Sequence, residues 1–131
     1  MAQVDYFLKV DGIDGESTDD KHKGEIDLES WSWGETNSGS HATGGGGGAG
    51  KVVMQDFHAV KKLDKSSPVL MIACATGQHI KKAVMTARKA GGKQDDYFTI
   101  TMSDVLVSSY QTGGAQHSDV VPTDQFSINF S

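Results

Sequence analysis

The chain has 131 residues, of which 37% are hydrophobic and 22% charged, with a formal net charge of −5 at pH 7. That length suffices to bury one core without staples, and a single cysteine, Cys74, excludes an internal disulfide and fits a reducing compartment, where we expect it buried and inert. The acidic balance and the lack of an aromatic and basic binding face argue against a nucleic-acid partner. The start, MAQVDYFLKV, lacks the basic and apolar pattern of a secretory signal, and no apolar run approaches the ~20 residues that cross a bilayer. No membrane insertion is expected, and any export takes a signal-independent route.

In chain order, Val4 to Val10 alternates Val4, Tyr6, Leu8 and Val10 against Asp5, Phe7 and Lys9, a half-buried strand whose outer face carries an aromatic. Residues 11–24 (DGIDGESTDDKHKG) form an acidic loop, but their carboxylates miss the one, three, five spacing of a calcium loop with glycine at six. In EIDLESWSWG, Ile26 and Leu28 share one phase while Trp31 and Trp33 take the other. Either a bulge near Glu29 and Ser30 turns the indoles inward, or the strand keeps phase and presents them outward. Lys51 to Leu63 reads as one strand with Val53, Gln55, Phe57 and Ala59 on one side.

A helix follows, with Ser66 or Ser67 as cap, Pro68 in its first turn, and Gly77 ending it in the left-handed conformation. The next segment, HIKKAVMTARKA, can continue as helix or turn to strand. Its glycine pair, Gly91 and Gly92, ahead of the β-rich run Tyr97 to Tyr110, favours a hairpin of Ile80 to Ala90 against Tyr97 to Tyr110. A loop opens at 111–114, and Phe126, Ile128 and Phe130 share a face of the last strand. The fold expected is mainly β: a small antiparallel β-barrel of two packed sheets with one α-helix at the side, forming a single domain over 1–131 with a flexible glycine-rich loop at about 35–50.

Two features carry possible chemistry. Gly45, four residues, Gly50 and Lys51 nearly spell a phosphate-binding loop, but Val52 stands where Ser or Thr holds magnesium, and a β-rich run follows where a helix should open. Five consecutive glycines, Gly44 to Gly48, also lose much backbone entropy on ordering, so a flexible loop is the preferred reading. A stand-alone nucleotide binder or enzyme using Lys51 is the alternative function. The Asp56 and His58 pair has no nucleophile with a recognisable elbow near it. No catalytic residue, cofactor or metal ligand is assigned.

Charge is segregated along the chain. Residues 1–35 hold ten Asp or Glu against three Lys; residues 51–93 hold eight Lys and one Arg against two Asp; residues 94–131 hold five Asp and no base. Two readings stay open: the blocks pair within the fold or are solvated, or an acidic surface of one copy meets a basic surface of the next.

Three stretches carry a family likeness: DYFLKVDGIDGESTDDKHKGEIDLESWSWG at 5–34, SPVLMIACATGQHIKKAVMTARKAGG at 67–92, and DVLVSSYQTGG at 104–114. They resemble the hemolysin-coregulated protein family, Hcp, the tube proteins of bacterial type VI secretion systems, in the same order over essentially the whole chain. The resemblance implies a β-barrel subunit of homohexameric rings that stack into the inner tube of a contractile injector. Implied partners are the sheath, spike and baseplate proteins and effector cargo in the channel, with synthesis in the cytoplasm followed by secretion. In this family the loop after the Trp-x-Trp strand reaches neighbouring subunits or rings. The interface residues expected are Asn37, Ser38, Ser40, His41, Gly44, Gly47 and Gly50 in that loop, the acidic Asp19 and Asp20, and the basic Lys61, Lys62, Lys81 and Lys82. Family chains usually continue past DQFSINFS, so the C-terminus is expected to be truncated or short.

Overall fold

The computed structural model describes residues 3–39, 51–90, 95–117 and 121–131. The period-two pattern of the first segment becomes strand β1 (Gln3–Val10), with Leu8 and Val10 buried on its inner face. It pairs antiparallel with β2 (Ile26–Leu28) on one side and β7 (Ile80–Ala90) on the other, so that Tyr6 lies opposite both Leu28 and Ala87. The predicted hairpin is present: β7 pairs with β8 (Asp96–Gly113) in a register that sets Ile80 against Val105 and Met85 against Ile100. Gln111 to Gly113, expected as loop, continue β8 because they pair with Gln125 to Thr123. Residues 91–94 of the expected turn lie outside the described residues.

β8 changes partner along its length. Its first part pairs with β7, and its second with β9 (Thr123–Asn129). Asp104, at φ 51, sits in the left-handed region close to that change, and a bulge follows between Val107 and Ser109. β9 pairs with β6 (Phe57–Lys62), and β6 with β3 (Ser30–Ser32), giving the order β2-β1-β7-β8-β9-β6-β3. Only Glu29 separates β2 from β3, and its N–H donates to the Val60 carbonyl at 2.7 Å. The two edges of the seven-stranded sheet are therefore consecutive pieces of one chain segment, an arrangement that leaves few unpaired backbone groups at either edge.

The bend at Glu29 resolves the tryptophan phase. Trp31 turns toward the interior and meets Tyr6 at 6.0 Å, Phe57 at 6.1 Å and Phe98 at 5.7 Å, whereas Trp33 stays exposed against Phe130. The expected single strand at 51–63 is instead broken at Gln55 and Asp56. Its first part, β5 (Val52–Met54), leaves the core and pairs only with β4 (Glu35–Asn37), so Val53 is 58% exposed. Inside, Leu8, Ile26, Phe57, Met85, Phe126 and Ile128 form the centre of one core, each worth roughly 1.5–3 kcal/mol on full burial.

The helix α1 (Ser66–Thr76) buries Leu70 and Ala73 against β8, and Gly77 ends it at φ 61 as expected. Its cap differs. Lys65 holds the cap position without a side-chain bond, and the Asp64 carboxylate accepts the Ser66 N–H at 2.8 Å. Ser67 is needed elsewhere, in a buried cluster beneath the helix. Cys74 is half-buried on α1.

That cluster centres on Lys61 and Asp124, directly opposite each other on β6 and β9 and each 0% exposed. The Lys61 ammonium donates to Asp124 at 2.8 Å, Asp64 at 2.9 Å and Ser67 Oγ at 2.7 Å; Ser67 Oγ in turn donates to Asp124. All three donors of the ammonium are used, which is the condition for tolerating a buried charge. Burial alone raises the Asp124 carboxyl, but the bonds from Lys61 and Ser67 outweigh it and hold the group below the usual carboxylate range. A depressed carboxylate stabilises the fold above its unfolded value, near 4, and that contribution is lost as pH falls below it.

Two outcomes are expected from denaturant unfolding. Lys61→Ala, which strands a buried carboxylate, costs about 3–5 kcal/mol, while the apolar pair Lys61→Met with Asp124→Leu recovers most of that loss. Asp124→Asn flattens the fall in stability below pH 4.

Candidate functional site

Residues 11–25 form a strap over the outer face of β1. Its own backbone holds it in shape: Gly15 N–H donates to Gly24 O at 2.8 Å, and Gly24 N–H to Ser17 O at 2.8 Å. Gly15 is required, since a Cβ there would lie 2.5 Å from the Glu25 carbonyl oxygen and from Ile26 Cα. Phe7, the outward aromatic of β1, is buried beneath the strap. The His22 ring stacks on it at 4.4 Å, and the Arg88 guanidinium lies 4.9 Å from its centroid.

Polar bonds then pin the strap. Arg88 donates from Nη1 to Asp19 at 2.7 Å and from Nη2 to Asp5 at 3.1 Å, and the His22 ring nitrogens face Glu25 at 3.0 Å and Asp96 at 3.2 Å. The bond from Arg88 holds the Asp19 carboxyl down at about 2, with help from the Lys21 and His22 amides, and Asp19 in return raises Arg88.

The predicted interface set is spread over three places. Asp19 is engaged by Arg88 inside its own chain, whereas Asp20 beside it is exposed. Lys81 and Lys82 are exposed on β7, where the Lys82 carbonyl accepts the Asp11 N–H. Lys62 is exposed at the end of β6, but its neighbour Lys61 is no surface residue: strand alternation turns it inward, where Asp124 fixes it. Asn37 and Ser38 are exposed, with Asn37 Oδ1 accepting the Gly39 N–H at 2.9 Å. Ser40, His41, Gly44, Gly47 and Gly50 lie outside the described residues.

The charge blocks pair across the fold in part. Arg88, from the basic block, meets Asp5 and Asp19 of the first acidic block, and Lys61 meets Asp124 of the last. Sequence reasoning missed these partners, because only pairing of β6 with β9 and of β1 with β7 brings them together.

Two further features were not foreseen. The ribbon β4–β5 projects beyond β3 and β6, with all six of its side chains exposed. At the other end of those strands, a groove of about 470 Å³ has Val4, Leu28 and Leu63 on its walls beside Glu16, Asp27 and Glu29. Partial burial, and then the field of Asp5 and Asp64, raises the Asp27 carboxyl above its ordinary range.

The catalytic readings find little support. Lys51 leads into strand β5, so no helix N-terminus stands there to receive a phosphate. Asp56 does not orient His58; it accepts from Ser108 Oγ at 2.6 Å and Asn129 Nδ2 at 2.9 Å. Among the described residues no three metal-ligating side chains gather, and no helix is long and apolar enough to cross a membrane.

A family model described as "Type VI secretion system effector, Hcp" matches residues 7–131. The chain belongs to the Hcp family. It is 50% identical over 129 residues to Protein hcp1 of Pseudomonas aeruginosa, covering 98% of this chain and 79% of that one. Among solved structures it resembles Hcp1 from Salmonella typhimurium, at 35% identity and TM-score 0.82, covering 100% of this chain and 82% of the other. A type VI secretion system effector from Yersinia pestis, 32% identical, aligns with TM-score 0.80 over 96% of this chain and 84% of its own. A structure described as a type six secretion system protein reaches TM-score 0.91 at 30% identity, over 98% and 80% of the two chains. The Hcp resemblance read from the three sequence stretches and the mainly β fold class therefore both stand.

Asp19→Asn should loosen the strap. We expect faster amide hydrogen exchange at Ser17, His22 and Gly24 with little change in the β6–β9 ladder. In the unsubstituted chain the same loosening should set in as pH falls from about 4 toward 2, since a depressed carboxylate stabilises only while ionised.

Proposed function

We propose that this chain is the structural subunit of a type VI secretion tube: copies close into rings of six, rings stack, and contraction of the sheath drives the tube and its cargo out of the cell. The observation that carries this reading is the Hcp match over residues 7–131, joined to a fold that superposes on a type six secretion system protein across 98% of the chain. On this reading residues 1–131 act as one domain. The protein is made in the cytoplasm, leaves without a signal peptide, and works with sheath, spike and baseplate proteins.

The surface supports packing over catalysis. Helix α1 carries no charged residue within 66–76, and Val69, Met71 and Ile72 on it are exposed; a helix apolar on all sides is normally covered. The outer face of the sheet around β6 is mostly polar and neutral, with Ser30, Ser32, His58, Ser109, Gln111 and Gln125 exposed and Lys62 adding one charge at the end of the strand, which suits a wall that lets cargo pass with few charge contacts. Of the predicted interface residues, Asp20, Asn37, Ser38, Lys62, Lys81 and Lys82 are exposed.

Native mass spectrometry of the purified chain should give six times the chain mass, and negative-stain micrographs should show annuli with six-fold averages. A single-chain particle at high concentration in both measurements would overturn the reading.

A further inference from the structure

The His22 ring is held by acids on two sides. Its Nδ1 lies 3.0 Å from Glu25 Oε2 on the strap, and its Nε2 lies 3.2 Å from Asp96 Oδ1 at the start of β8. A neutral imidazole has one N–H and one bare nitrogen, so it donates to only one of these carboxylates and turns a lone pair toward the other. Both bonds form together only when the trio of His22, Glu25 and Asp96 holds one proton more than a neutral ring and two ionised carboxylates carry. Turning the ring away is costly. It is 7% exposed, stacks on Phe7 at 4.4 Å with the planes 8° apart, and its backbone N–H donates to Asp19 at 3.2 Å.

The charges around the ring favour holding that proton. The strap supplies Asp19 and Glu25, β1 supplies Asp5, β2 supplies Asp27 opposite Phe7, and β8 supplies Asp96 with exposed Asp95 beside it. Against these stands Arg88 of β7, 3% exposed, which already bonds to Asp19 at 2.7 Å and to Asp5 at 3.1 Å. Glu25 and Asp96 are left to the imidazolium. On the far side of Glu25 an open cavity carries Lys9, Lys21, Lys23 and Lys65 against Asp11 and Asp14, all exposed, so water and salt screen them. Burial of the ring opposes its charge, and the two carboxylates within hydrogen-bond distance favour it.

We propose that the strap is a proton-operated latch: it closes over Phe7 and Arg88 with a proton bound among His22, Glu25 and Asp96, and loosens when that proton leaves. A closed strap that binds the proton more tightly than an open one is stabilised where the proton is present. That stability is lost as pH rises through the imidazole range, about 6.5 for an ordinary side chain. The direction is opposite to that of Asp19, whose carboxylate holds the strap only while ionised, so the two groups together make the strap tightest at mildly acidic pH. Opening uncovers Phe7 and Arg88, each 3% exposed, on the outer faces of β1 and β7. The latch is a property of one copy and holds whether or not copies assemble.

Amide hydrogen exchange on the full chain, corrected for the intrinsic rate at each pH, reads the latch. Between about pH 6 and about pH 8.5 we expect protection at Gly15, Ser17 and Gly24 to fall roughly tenfold, within the one-proton limit of about tenfold per pH unit, while the β6–β9 ladder holds. Asp96→Asn separates a latch from a merely structural contact. An amide both accepts and donates, so it satisfies the neutral ring without the extra proton, and the strap should then stay protected at about pH 8.5. Nitrogen NMR of the unsubstituted chain gives an independent reading: at about pH 7 both ring nitrogens of His22 should carry protons. Strap protection that is equal at the two pH values, or a His22 ring with one bare nitrogen at about pH 7 while the strap amides stay protected, overturns the latch. An Asp96→Asn strap that loosens at high pH as the unsubstituted one does also overturns it.

Discussion

The structure turns on the hydrogen bond from Glu29 N–H to the Val60 carbonyl. Segment 26–32 must serve both as the last strand beside β1 and as the last strand beside β6, and it can do so only by bending where this bond forms. The bend brings the two edges of the sheet together, carries Trp31 from the outward phase into contact with Phe57, and opens the acidic groove at the point where the two strand pairings part. The same bend lets the chain leave β3 at the far end as a ribbon free of the core.

Two devices then hold the outer layers to this framework, and they differ in kind. Under the helix, Lys61, Asp64, Ser67 and Asp124 form a largely buried cluster in which every proton of the ammonium has an acceptor, so removing Lys61 leaves the buried Asp124 carboxylate stranded. Over β1, the strap is held by stacking on Phe7 and by bonds from Arg88 and His22 that reach partly exposed carboxylates. The first ties α1 to two strands and tolerates little change. The second is a surface clasp, open to water and salt, and the strap it holds carries the exposed Asp20.

Much of the surface is uncharged or apolar in places where a solitary domain would place charge. Helix α1 and strand β5 of the ribbon share this property, and the face around β6 is mostly neutral apart from Lys62. On the function proposed above for this member of the Hcp family, such surfaces are the ones offered to other copies. Among the described residues, Asp56 and Ser108 bond to each other on the exterior, and Asp56 does not orient His58.

By itself the sequence determined the local periods and stops. Alternation in 4–10, the β-rich composition of 97–110, the glycine punctuation, and the left-handed glycine after Thr76 follow from backbone preferences that need no distant partner, and three distinctive stretches sufficed to suggest the family. The expected interface was legible only as residue types. Lys61 and Lys62 look alike in sequence, and strand alternation hides one while exposing the other. Tertiary structure alone decided that Asp124 lies opposite Lys61 and Arg88 beside Asp5 and Asp19, across 63, 83 and 69 residues of chain. It also decided that Val53 leaves the core while Phe57 enters it. The physical reason is that a strand's period says which side chains share a face, but only the neighbouring strand says which face is inside.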